Sequence, residues 1–233
     1  MVQLDKLKAS PVWARATPYI AFIVLTQLQT MSDGPTRFWL YLAKTLVAGW
    51  LLWEFRREIA EMKWNFSWEG IVVGVIGVVM WIGLDDFARL LHIPPTALKQ
   101  GKPAEPGTEW NPFVQFGDGA LLAWFFVLVR TVGSGVVVPP MEEVMYRSLV
   151  WRWLANQDFL KVPLSLWRPF PILLSSAVFA FTHHEVAAAF LYALLMHALV
   201  WRKGRLGDAI VAHAVTNFLL ALWVVFRPEW RFW

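Results

Sequence analysis

The strongest constraint on this chain is its succession of apolar runs. A bilayer-crossing helix needs roughly 20 mostly apolar residues, and run after run approaches or reaches that length. The first spans Thr17 to Thr30 and extends back to Val12, after a basic start holding Lys6, Lys8 and Arg15. A secretory signal is the competing reading of such a start. The run nevertheless contains Gln27 and Gln29 and ends in MSDGPTR, without a small-x-small cleavage site. Phe38 to Phe55 is the second run, stopped by Arg56 and Arg57, and Gly70 to Leu91 is the third. Between them, IAEMKWNFSWEG sets Trp64, Phe66 and Trp68 at alternating positions, the pattern of an anchor at headgroup level. At 58% hydrophobic and 16% charged, the chain is too apolar for an ordinary water-soluble domain, which runs about 45–50% and about 25%. The absence of cysteine excludes disulfides, thiolate ligands and a cysteine nucleophile. A net charge of +4 suits anionic lipid headgroups. It is too small and too scattered for a nucleic-acid footprint, so membrane lipids are the expected partners and nucleic acid is not.

One long polar break, residues 92 to 117, carries five prolines and three glycines and predicts a loop without regular structure, either a lid or a plain linker. It divides the chain into N-terminal membrane helices with their loop, 1–117, and a core of helices, 118–233. In the second part Gly119 to Val138 reads as one span, interrupted near the GSG at 133 to 135. Pro139 and Pro140 then open a new helix to about Asn156, because proline is tolerated in a first helical turn. Pro169 and Pro171 open another, to His183 or His184; Val186 to Trp201 and Leu206 to Phe226 complete the set. The expectation is an all-α, polytopic integral membrane protein of seven to eight transmembrane helices. Basic residues at 6, 8, 15, 56, 57 and 63 put the N-terminus in the cytoplasm. The WRKGR at 201 to 205 conflicts with simple alternation if every later helix spans, which calls for a short or re-entrant helix.

An ionisable side chain inside a bilayer costs several kcal/mol, roughly 2.5–3.5 on insertion scales, and is a functional candidate by default. The apolar second part contains Glu142, Glu143, Arg147, His183, His184, Glu185, His197, Asp208, His213 and Asn217. Glu143 and Arg147 are spaced i, i+4 and pair along one helix face. Glu142, rotated by about 100°, must find its partner elsewhere. His183 and His184 are adjacent and point apart, so one of them at most faces a given site. The zinc signature HExxH fails at Ala188, where the second histidine would stand. His213 and Asn217 share a face at i, i+4 and could donate to an oxyanion, or could simply bond two helices together. A carboxylate, a histidine on a second helix and a His/Asn pair on a third can activate water and stabilise a tetrahedral intermediate. Ser134 in VGSGV more simply permits a kink, and Asp85 with Asp86 makes a weak two-aspartate site.

Three motifs occur in order: Glu142-Glu143-Val144-Met145-Tyr146-Arg147 fits EExxxR, Phe179-Ala180-Phe181-Thr182-His183 fits FxxxH, and His213-Ala214-Val215-Thr216-Asn217 fits HxxxN. With them the chain resembles the CAAX-protease and bacteriocin-processing family of intramembrane endopeptidases over roughly residues 118 to 226. In overall form it is similar to bacterial CAAX-prenyl-protease-related proteins that accompany exosortase systems. The resemblance implies an eight-helix fold in a bacterial cytoplasmic membrane and cleavage of a membrane-embedded or lipid-modified peptide. It implies that Glu142 and His183 activate water, that His213 and Asn217 form the oxyanion site, and that Glu143 and Arg147 brace it. Glutamate-type catalysis without a cofactor is favoured; in the zinc alternative Glu142, His183 and His213 would be the ligands. The other function class is a non-proteolytic immunity or assembly partner that keeps the polar cluster for structure.

Overall fold

The computed structural model describes residues 2–90 and 110–233, so most of the proline-rich break lies outside the described residues. The elements are α1 (Val2–Ala9), α2 (Pro11–Thr30), α3 (Thr36–Phe55), α4 (Trp68–Leu90) and α5 (Pro112–Phe116). They continue with α6 (Leu121–Ala155), α7 (Pro169–Phe181), α8 (Val186–Lys203) and α9 (Gly207–Phe226). Among the described residues there is no strand. Four helices are long and apolar enough to cross a membrane by length and composition: α4 over Trp68–Phe87, then α6, α8 and α9. Helices α2 and α3 have 20 residues each, about 30 Å at 1.5 Å per residue, but fall outside those four.

Two sequence expectations change. The spans expected at Gly119 to Val138 and Pro139 to Asn156 are one helix, α6, containing π-helical turns at Gly133–Val137 and Val144–Val150. Proline inside a helix removes one i→i−4 bond and crowds the carbonyl of residue i−4. The π turn immediately before Pro139 and Pro140 widens the helix there, so the prolines are accommodated instead of starting a new element. In the break, Pro112–Phe116 is helical: Asn111 accepts hydrogen bonds from the Phe113 and Val114 amides at 2.9 and 3.3 Å, with Pro112 in the first turn. That Asn-Pro start is an ordinary helix signal.

The described residues gather into two compact units. The first comprises α1 to α3, α5, α6 up to Met141 and the chain from Asn217. Its aromatic core is Phe38, Tyr41, Trp110 and Phe126, with Phe116 stacked on Phe126 at 5.2 Å. Ser10 caps α2 by accepting from the Trp13 amide, and Lys8 pairs with Glu54 at 2.8 Å.

The second unit comprises α4, α6 from Glu142, α7, α8 and α9 up to Thr216. Here α4 turns its glycines to α9. A Cβ at Gly74 would lie 2.6 Å from the Ala212 carbonyl oxygen and 2.7 Å from Val215 Cβ. One at Gly77 would lie 2.6 Å from the Thr216 hydroxyl. Small residues let helices approach this closely in a membrane, and the Thr216 hydroxyl donates to the Gly74 carbonyl at 2.8 Å. Gly74→Val is expected to cost about 1–3 kcal/mol by overpacking, read as a lower midpoint of unfolding in detergent; an unchanged midpoint would show that α4 is not held this tightly.

Three loops meet at one end of this unit. Arg205 donates to Asn65 at 3.2 Å, the Trp167 and Trp201 rings stand 5.3 Å apart, and Arg152 pairs with Glu61 at 2.7 Å. Asp208, fully buried, accepts from the Ser67 amide and hydroxyl at 2.7 and 2.6 Å. The WRKGR stretch therefore shares an end of this unit with Lys63 and Asn65. Trp64, Phe66 and Trp68 at this end are exposed, as headgroup anchors require.

Candidate active site

Every residue of the first two motifs, and His213 of the third, belongs to the second unit. Glu142 and Glu143 precede the π-helical turn Val144–Val150, which contains Arg147. Such turns often occur at functional sites because they re-aim the side chains around them. Glu143 and Arg147 are fully buried and pair at 3.3 Å, the i, i+4 contact expected from their spacing. The same Glu143 oxygen accepts a hydrogen bond from His213 Nδ1 at 2.8 Å. The other ring nitrogen, Nε2, lies 3.9 Å from the Glu142 carboxylate. The partner that Glu142 had to find is thus His213, whose ring stands between two neighbouring carboxylates and meets each through a different nitrogen.

His183 lies two residues beyond the end of α7 instead of on the helix, which stops at Phe181 with Thr182 as its cap. Its Nδ1 is 2.9 Å from the Phe179 carbonyl oxygen. A carbonyl only accepts, so Nδ1 carries the proton and Nε2 is the basic nitrogen of the neutral ring.

Aromatic rings connect these groups into a closed circuit. The Arg147 guanidinium stands over the Phe179 ring at 4.5 Å, and that ring lies 4.3 Å from His183. Trp81 of α4 approaches His183 edge-on at 5.5 Å and Tyr192 of α8 at 5.7 Å. Tyr192 in turn contacts His213 at 5.5 Å. Trp81 and Tyr192 carried no signal in the sequence, where the 16 tryptophans read as anchors and packing. Only the packing of α4 and α8 reveals them as walls of the site.

Burial leaves polar demand within this circuit. One oxygen each of Glu142 and Glu143, and all three guanidinium nitrogens of Arg147, are buried without a hydrogen-bond partner among the described residues. Buried charged groups with unused hydrogen-bonding capacity are costly.

Other sequence candidates sit apart from the circuit. His197 Nε2 is 3.0 Å from the Ser175 hydroxyl, a buried bond between α8 and α7. Asp208 serves the loop end described above, and His184 is exposed. In the first unit, the Asn217 amide donates to the Ser134 carbonyl at 2.9 Å. Ser134 accordingly presents its backbone to Asn217, while its hydroxyl donates to the Thr131 carbonyl at 3.4 Å. For zinc, Glu142, His183 and His213 would have to converge on one point. Among the described residues no group of three or more His, Asp or Glu side chains is arranged to hold a metal ion. The His213 Nδ1 bond to Glu143 leaves Nε2, on the Glu142 side, as the ring nitrogen open to a ligand.

Compared with the curated proteins and with the solved structures, the chain matches none. Residues 119–219 match the family model described as type II CAAX prenyl endopeptidase Rce1-like. That segment contains Glu142, Glu143, Arg147, His183, His213 and Asn217, so over residues 119–219 the chain is similar to the Rce1-like endopeptidases, and its apolar helices make it an integral membrane protein.

Proposed function

We propose that this protein is an intramembrane endopeptidase that hydrolyses a peptide bond of a membrane-associated, lipid-modified protein by a glutamate-type mechanism. The observation that carries this reading is the His213 ring held between the buried carboxylates of Glu142 and Glu143. In the proposed scheme Glu142 accepts the proton of the attacking water, and His183 assists through its basic Nε2. A tetrahedral oxyanion then receives a hydrogen bond from His213. For His213 to donate from Nε2 while Nδ1–H is bonded to Glu143, the ring must be doubly protonated. Glu142 finally delivers its proton to the departing amine, so proton and leaving group balance. Glu143 and Arg147 orient His213 and do not touch the substrate.

A seven-helix arrangement, in which α2, α3 and the short α7 join the four long apolar helices, is the topology we favour. The N-terminus would face the cytoplasm of a bacterial cell, since the loops around Lys63, Arg168 and Arg202 are rich in cations. The test is cleavage of a prenylated membrane peptide by purified protein in lipid nanodiscs. His183→Ala is expected to slow the reaction about 10²-fold or more, while exhaustive chelation leaves wild-type activity intact. Loss of activity with chelator, restored by zinc, would replace this scheme with a metal-dependent one. A folded His183→Ala protein that cleaves like wild type would remove His183 from it.

A further inference from the structure

Arg130 of α6, in the first unit, is a cation inside an apolar helical stretch. Its guanidinium stands over three aromatic rings, 4.6 Å from Trp110, 5.0 Å from Tyr41 and 5.4 Å from Trp233. Among the described residues no carboxylate pairs with it and no side chain accepts its N–H groups. The Tyr41 hydroxyl reaches the backbone carbonyl of Arg130, at 3.5 Å, and not its charge. Arginine keeps its proton in proteins, so within a membrane span this group needs an anion or a set of acceptors. Aromatic faces attract the charge but offer no lone pair to five in-plane N–H donors.

A second observation points the same way. Trp110 is 6% exposed and its indole N–H is buried with no acceptor among the described residues. Two kinds of donor, from Arg130 and Trp110, thus stand together without an acceptor among the described residues. Arg130 itself is only half-buried, so it is reachable from outside.

We propose that this aromatic-walled cationic site binds the anionic head of an amphiphile, a phosphate or a carboxylate accepting from Arg130 and Trp110. The exposed side chains of Leu121, Trp124, Phe125, Leu128 and Val132 on the same helix give its acyl chain an apolar surface to lie on. The site is independent of the hydrolytic reading, and its test needs no activity.

The experiment is thermal unfolding of the purified chain in nonionic detergent with dioleoylphosphatidylglycerol, dioleoylphosphatidylcholine or oleate added. The expected result is a saturable rise in Tm of roughly 5 °C with the anionic phospholipid, and none with the zwitterionic one. A matching rise with oleate assigns a site for either anion; a rise with only one of the two assigns that head group. Arg130→Gln abolishes the rise, Trp110→Phe weakens it and Arg130→Lys keeps part of it. A combined Lys63→Gln, Arg168→Gln and Arg202→Gln variant, altered only on the basic loops, keeps it in full. Equal responses to all three lipids, or to anionic lipid in Arg130→Gln and wild type, overturn the proposal. So does loss of the rise in the basic-loop variant. If Arg130→Gln does not fold, Trp110→Phe decides alone, and an undiminished rise there overturns the proposal.

Discussion

Glu142→Gln is expected to lower peptide cleavage by about 10³-fold, within the usual range for loss of a general base. Glutamine keeps the size of the side chain but cannot accept a proton from water at neutral pH. It also removes the negative charge facing His213 Nε2 at 3.9 Å, so the ring loses one of its two anionic neighbours. The fold should survive, because Glu142 has no hydrogen bond within the described residues on one of its oxygens and forms no pair with Arg147. Rates in nanodiscs, with Tm measured in parallel, separate the two effects. A variant that unfolds at the wild-type temperature and cleaves at the wild-type rate would sink the glutamate scheme.

Arg147→Met should act on stability first. Arg147 and Glu143 are both fully buried, and removing the cation leaves an anion with only His213 beside it. Breaking a buried pair from one side costs about 3–5 kcal/mol, so a large fall in the unfolding midpoint is expected. The double variant Glu143→Gln with Arg147→Met should recover much of that loss, since no uncompensated charge remains. It should not recover activity, because the glutamine no longer holds His213 through a charged acceptor. Arg147→Lys preserves the charge but not the flat guanidinium that stands over Phe179 at 4.5 Å. It should unfold between the two. A midpoint for Arg147→Met close to wild type would mean that the pair contributes little and that Glu143 is stabilised by another group.

The two effects belong to residues five positions apart in one motif, and the difference between them illustrates what could be read early. The i, i+4 spacing of Glu143 and Arg147 predicted their contact, because helix geometry alone brings such positions together. The remaining carboxylate could only be said to need a partner. That the partner is His213, some 70 residues on, depends on α9 lying against α4 through Gly74 and Gly77, a contact with no local signature. The miscount of α6 has a similar source. Gly133, Gly135, Pro139 and Pro140 are helix breakers by propensity, and a π turn that absorbs them in one continuous helix cannot be inferred from composition.

The sequence by itself determined that this chain is helical, lives in a membrane and concentrates its few ionisable residues in one half. Those conclusions follow from apolar length and from the cost of burying charge, which are additive along a chain. Three ordered motifs were enough to point to a protease family, since each keeps its residues within six positions of the chain. The tertiary structure alone decided how separate turns meet. It set His213 between two glutamates, made Trp81 and Tyr192 walls of the candidate site, and left Arg130 caged by rings without a carboxylate among the described residues. These are long-range contacts, set by helix packing and by which side chains are small enough to let helices approach, and no local pattern encodes them.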